Sequence, residues 1–292
     1  ICYISDSVDQ NILNRMRKLI QSIDVDALTM NIESLAECMF THKWINPFPK
    51  FKYSERPDTA TAAILDGNIV IMVDNSPAVM IIPASIFDII EEADDFNFSP
   101  MIGSYLRITR FFFSIVTWIL TPLWLLFVNN PDWVPEFMKF VLITDDITVP
   151  VLLQLLILEL AVDGLKLAAV NTPTMLSTPL SIVAGIVVGE YAVSSGWFNP
   201  EALLYMAVVT VGTYGQTNFE MGYAFKFLRV LTLILTQIFN LGGFIAGVVI
   251  SVLMIAFNRT ITGKSYIYTL IPWDGKMLKR KVLRVRLPHS YK

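Results

Sequence analysis

Only two cysteines and two histidines occur in 292 residues. Two thiols, Cys2 and Cys38, cannot build a disulfide framework, so nothing in the sequence points to an oxidising compartment. His42 and His289 alone exclude a histidine metal cluster, and no His-based catalytic triad is expected; neither a metal nor a cofactor is implied. Charge is scarce too, at 16% of residues against 54% hydrophobic, far from the balance of an ordinary soluble domain. The scarcity is local. No charged residue lies between Arg110 and Asp132, Lys166 and Glu190, Glu201 and Glu220, or Arg229 and Arg259. A helix needs roughly 20 apolar residues to cross the ~30 Å hydrocarbon layer. A soluble core could hold one such run, not four, so the expected fold is an α-helical polytopic membrane bundle whose first partner is the lipid bilayer.

Charge is concentrated at the two ends. Residues 1–100 hold 15 of the 25 acidic residues and 7 of the 22 basic ones, whereas residues 258–292 hold nine basic residues and only Asp274 against them. This divides the chain into an N-terminal α+β soluble domain (1–100), a transmembrane helical domain (101–258) and a basic cytoplasmic tail (259–292). The chain opens on Ile1 with no charged-then-apolar start, which reads as a fragment lacking its native N-terminus and carrying no signal peptide. In the front domain Val8, Ile12, Met16 and Ile20 recur at helical spacing behind Ser7 or Asp9 as cap. A second helix is expected from Met30 to Phe40, and an extended segment over 45–54, where Pro47 and Pro49 oppose a helix. A helix from Pro57 to Leu65 ends at Asp66-Gly67. Strands Asn68–Val73 and Ala78–Ile82 then flank a turn at Asp74-Asn75-Ser76, and a short helix follows over 84–92. Nothing here resembles a catalytic constellation, and the chain is not read as an enzyme.

From Tyr105 the character changes. Arg107 and Arg110 precede Phe111-Phe112-Phe113, a pairing of cations and aromatics expected to anchor the chain where it meets the bilayer. Asp132, Glu136, Asp145 and Asp146 face only Lys139 in the next loop, so the positive-inside rule puts the Arg107/Arg110 junction and the basic tail on the cytoplasmic side. Both ends inside demand an even number of crossings. Five apolar segments are present, 105–128, 147–165, 176–194, 202–217 and 230–257; the weakest, 147–165, is read as an interfacial or re-entrant helix, leaving four spans. The loop charges Lys226 and Arg229 do not fit this topology.

Ionisable groups in hydrocarbon cost about 2.5 kcal/mol or more and normally face a bundle interior or water. Glu159, Asp163 and Lys166 share one helix face, which either lines an aqueous path, docks on a partner, or is the solvated side of an interfacial helix. Glu190 beside Tyr191 either snorkels to the interface or contributes to a pore. Gln237 and Asn240 lie in the longest uncharged run, as interhelical glue or as pore lining, and Asn240 with Leu241-Gly242-Gly243 is a candidate kink. Gly263-Lys264-Ser265 lacks the preceding glycine and strand of a phosphate loop. The Lys279–Arg286 patch, next to a span, reads as a topology signal attracted to anionic lipid, with no nucleic acid as partner.

Several stretches together resemble the A subunits of GerA-type spore germinant receptors. They are Tyr53-Ser54-Glu55-Arg56-Pro57-Asp58, Ile71-Met72-Val73-Asp74-Asn75-Ser76-Pro77, Gly103-Ser104-Tyr105-Leu106-Arg107, Glu159-Leu160, and Pro179-Leu180-Ser181-Ile182-Val183 leading to Gly189-Glu190. The signature residues are Glu55, Arg56, Pro57, Asp58 and Asp74. Ile271-Pro272-Trp273-Asp274-Gly275-Lys276 and the ending Leu287–Lys292 are most similar to the stage V sporulation AF branch of that family. The resemblance implies a spore inner-membrane protein, with soluble domain and tail on the cytoplasmic or core side, working among other germination membrane proteins. It implies a ring-like homo-oligomer around an ion path that releases monovalent cations or amplifies the germination signal. A non-conducting scaffold that docks other germination proteins is the alternative. With few polar positions per copy, a path is expected between subunits, with Gly242, Gly243 and Gly247 as candidates for the packing flank.

Overall fold

The computed structural model describes residues 1–39, 46–171, 185–271 and 273–284. The expectations for His42, for Pro179 to Val183 and for the ending from Leu287 lie outside these residues, as do residues 176–184 of the 176–194 segment. The chain divides into two compact units, Ile1–Phe111 with Thr217–Met221 and Val252–Lys292, and Phe112–Gln216 with Gly222–Ser251.

The first unit is α+β. Helix α1 (Gln10–Gln21) starts at Asp9, whose carboxylate accepts from the Asn11 amide, and α2 is Ile32–Met39. Strand β1 (Lys52–Ser54) is followed by α3 (Pro57–Leu65), β2 (Ile69–Met72) and β3 (Val79–Ile82). The sheet is antiparallel in the order β1-β3-β2, with Ile81 opposite both Lys52 and Val70. The helix and hairpin fall where the sequence places them; the pairing of β1 is an addition. Gly67 has φ +85°, and a side chain there would come within 2.6 Å of the Ser7 carbonyl, so glycine is required twice over. The core joins Leu13 and Met16 of α1, Leu35 of α2 and Ile69, Met80 and Ile82 of the sheet. Ile261, from the segment expected as a free tail, is part of that same core. Helix α4 (Ile86–Ile90) begins with a reciprocal cap between Ser85 and Asp88.

Among the described residues two helices are, by length and composition, long and apolar enough to cross a membrane: α5 (Pro100–Asn129) and, as the eighth helix, α8 (Phe219–Ala256). Between them lie α6 (Val151–Asn171), a π-helical turn Gly185–Tyr191 continuing into Ala192–Ser194, and α7 (Pro200–Tyr214). The 147–165 segment therefore belongs to a continuous helix of 21 residues, while α7, at 15 residues, is about 22 Å long and short of a full crossing. The last helix, α9, is Gly275–Val282, capped by Asp274.

Helix α8 is not straight. Asn240 alone leaves helical geometry, at φ 51° and ψ −129°. A Cβ on Gly243 would lie 1.8 Å from the Leu235 carbonyl oxygen, and one on Gly247 would lie 2.9 Å from the Thr232 Cα. In a straight helix residues eight and fifteen apart are about 12 and 22 Å distant, so the chain folds back at Asn240 into a hairpin of two antiparallel legs, residues 219–239 and 241–256. Gly243, Gly247 and the buried Ser251 form its inner seam against Thr232 and Thr236, the close approach that small residues permit between membrane helices. The expected kink is thus a reversal. Gly243 and Gly247 are spent inside the chain; only Gly242 has open space beside it.

Candidate functional site

In the second unit four charged side chains of α6 and α8 meet. Glu159 and Asp163 are one turn apart on α6; Lys226 and Arg229 are three residues apart on α8. Arg229 grips Glu159 with two nitrogens, Nη2 to Oε2 at 2.8 Å and Nε to Oε1, and its Nη1 donates to the Thr117 carbonyl of α5. Lys226 donates to the Glu159 carbonyl at 3.2 Å, lies 3.5 Å from the Glu159 carboxylate and pairs with Asp163. Glu159 is 4% exposed and Arg229 2%. Two carboxylates against two cations make the cluster neutral, which is the condition under which charges stay ionised away from water. Lys166, on the same face, stands 5.2 and 5.6 Å from the ring centres of Tyr214 and Tyr223, a cation–π contact and no part of the ion pairs.

Neutral polar pairs flank this cluster. Gln154 and Asn199 exchange hydrogen bonds of 2.7 and 2.9 Å, and Asn130 and Asn240 exchange two more of 2.6 and 2.9 Å. Ser114 meets Gln216 at 3.1 Å. Asn240 is therefore structural glue at the apex of the hairpin. Gln237 and Glu190 are exposed, so the three polar residues singled out from the apolar runs do not form one group.

Glu159, Asp163 and Lys166 stand out in the sequence, whereas Lys226 and Arg229 read there as loop charges. They lie within a helix and serve as counter-ions, which removes their conflict with the positive-inside rule. The readable signal is the matching of two acids at i, i+4 with two bases at i, i+3 in apolar surroundings.

The first unit holds a second network. Arg107, 1% exposed, bonds Glu91 at 2.8 Å and Asp95 at 3.5 Å and donates to the carbonyls of Arg280 and Lys281 in α9. Arg110 takes Asp95 at 2.6 Å and Glu92 at 3.1 Å. These guanidiniums, expected as bilayer anchors, are engaged by the acidic stretch before α5. Lys281 pairs with Asp88, which also accepts from the Tyr268 hydroxyl at 3.0 Å. Burial works against the Lys281 charge, yet Asp88, Tyr268 and Glu91 outweigh it and raise its pKa. Burial likewise opposes the Asp88 charge, and Lys281 with Ser85 overcomes it, so that pKa is lowered. Of the signature residues, Arg56 bonds Asp58 at 2.7 and 3.1 Å and also pairs with Asp94. Hydrogen bonds from Arg56, then from the Thr59 amide, lower the Asp58 carboxyl to about 2. Asp74 accepts from the Asn75 amide at 3.1 Å to shape the β2–β3 turn, Pro57 opens α3, and Glu55 is exposed.

The family model described as Bacillus/Clostridium GerA spore germination protein matches residues 1–292. The chain belongs to the GerA family. Stage V sporulation protein AF of Bacillus subtilis (strain 168) is 35% identical over 288 residues, which are 99% of this chain and 58% of that protein. Spore germination protein GerLA of Bacillus cereus is 26% identical over 290 residues, 98% of this chain and 58% of the relative. The uncharacterized membrane protein YfkQ of Bacillus subtilis (strain 168) is 25% identical over 284 residues, 96% and 54%. The chain thus spans little more than half the length of these GerA-family relatives. No solved structure matches it.

Proposed function

We propose that this GerA-family chain is the membrane-embedded part of a non-enzymatic germination subunit, a polytopic bundle that assembles as a ring-like homo-oligomer in the spore inner membrane and passes monovalent cations between subunits. The observation that carries this reading is the contrast between paired and unpaired polar groups. Every charge of the α6–α8 cluster is consumed internally, so no single copy offers those groups to an ion. Gln237, in contrast, stands exposed among Ile234, Ile238 and Phe239, and among the described residues it has no hydrogen-bond partner. An amide on the surface of a membrane helix is covered by another helix or by water. A symmetric ring would turn this one amide into a ring of amides along an aqueous path.

The test is reconstitution of the complete protein in liposomes loaded with potassium. Efflux is expected, reduced at least severalfold by Gln237→Leu with the oligomer intact. A silent bilayer with a normal oligomer would instead favour the non-conducting scaffold that docks other germination proteins.

A further inference from the structure

A cleft of about 340 Å³ opens in the first unit between α3, the sheet, α4 and α9. Its size is that of a small-molecule site, and its floor is apolar, made by Ala62, Ala63, Ile81 and Pro83. Around this floor most charges are already matched: Asp88 holds Lys281, Asp58 holds Arg56, Glu91 holds Arg107 and Glu92 holds Arg110. Two are left over. The Lys52 ammonium donates to the Glu91 carbonyl at 2.9 Å and, among the described residues, has no carboxylate within ion-pair distance. The Asp66 carboxylate, at the end of α3, has no hydrogen-bond or ion-pair partner among the described residues, and Lys281 acts on it only at longer range. These two do not pair with each other, although both line the same cleft.

The sheet register explains why they stay apart. Lys52 of β1 and Val70 of β2 lie opposite Ile81 from its two sides, so their backbones are about 10 Å apart across three strands. Asp66 stands three residues before β2. A cation and an anion that line one cleft without pairing, over an apolar floor, are complementary to a molecule with the reverse charges at its two ends.

We propose that this cleft binds a short extended zwitterion, its carboxylate at Lys52 and its ammonium at Asp66, joined by an aliphatic spacer lying on Ala62, Ala63 and Ile81. Burial pulls the Lys52 pKa down, with Glu91 and Asp88 opposing it only in part; an ammonium so placed gains most from a carboxylate beside it. The reach of several methylenes distinguishes this ligand class from α-amino acids, whose charges are too close together to meet both residues. The site also has a consequence for α5: Lys281 lines the cleft from α9, and Arg107 of α5 holds the α9 carbonyls at Arg280 and Lys281.

The experiment uses the full chain in detergent micelles, with 6-aminohexanoate, hexanoate, hexylammonium and glycine as probes in titration calorimetry. 6-Aminohexanoate is expected to bind about tenfold or more tightly than each of the others, the difference of one charged contact. Asp66→Asn and Lys52→Met should each weaken it about tenfold. A readout on the unaltered chain guards against misfolded variants: 6-aminohexanoate, and not glycine, should protect Lys52 from acylation followed by mass spectrometry. Lack of binding at about 10 mM, equal binding of glycine, or full affinity in Asp66→Asn overturns the proposal.

Discussion

The two units handle charge differently. In the first, Arg107, Arg110, Asp95, Glu91 and Glu92 form an extended network that borders a cleft and leaves Lys52 and Asp66 without ionic partners. In the second, Glu159, Asp163, Lys226 and Arg229 close upon one another in equal numbers, and Gln154 and Asn130 each find an amide. The difference follows from what each group would otherwise face. A carboxylate beside a solvated cleft can fall back on water; one among Leu155, Leu158 and Leu233 cannot, and there an unpaired charge costs several kcal/mol. Complete pairing within the α6–α8 cluster and tolerance of leftovers around the cleft of the first unit are two outcomes of the same energetics.

The most direct way to break this comparison is Arg229→Met. It leaves Glu159 buried with only the more distant Lys226, and the loss should be about 3–5 kcal/mol. Arg229→Met combined with Glu159→Gln leaves the Asp163–Lys226 pair neutral and should recover much of that loss, a coupling that thermal unfolding of the four-member mutant cycle measures. Equal destabilisation by the single and double variants would mean that packing and not charge holds the site.

How much of this was legible in the sequence depended on whether the signal was local. The Pro57–Leu65 helix and the β2–β3 hairpin were readable because proline, Asp66-Gly67 and the alternating apolar residues act over a few positions. The extended run that holds strand β1 was legible too, but its pairing with β3 was not, since the partner strand lies some 27 residues on. Arg107 and Arg110 read as lipid anchors because their partners, Glu91 to Asp95, are a helix away and the carbonyls of α9 are some 170 residues on. The reversal of α8 left only a trace, Asn240 with two following glycines. Lys226 and Arg229 marked the edge of an apolar run, and counting charge-free windows turns such residues into loops. Their true role needed the pairing with α6, which no single window contains.

A smaller effect sharpens the comparison from the side of the first unit. Asp88 has a lowered pKa, so its stabilisation is present above the unfolded value of about 3.9 and is lost as pH falls below it. Lys281 has a raised pKa; its share is complete below about 10.4 and disappears only as pH rises past that. The pair therefore stabilises across the intervening range. On acidification from pH 5 to 3, the melting temperature of the wild type should fall about 2–4 °C further than that of Asp88→Asn/Lys281→Met. Parallel curves would show that other carboxylates carry the acid response.

The smallest effect is expected at Asn130. Its two hydrogen bonds with Asn240 fasten the end of α5 to the apex of the α8 hairpin, yet the pair is neutral. Loss of an interhelical hydrogen bond within membranes averages only about 0.6 kcal/mol, because the same groups also find partners in the unfolded state within the membrane. Asn130→Leu should therefore cost far less than Arg229→Met. Asn240 carries a second load, since φ 51° with ψ −129° is a conformation that glycine adopts freely and branched or bulky residues resist. Asn240→Leu should lose the amide pair and add about 1–3 kcal/mol of backbone strain. Asn240→Gly loses the same pair but adopts that φ freely, so it should resemble Asn130→Leu. The order Asn240→Leu, then Asn240→Gly and Asn130→Leu together, separates the turn from the hydrogen bonds. If Asn240→Gly proved as damaging as Asn240→Leu, the amide clasp and not the backbone would be what holds the hairpin closed.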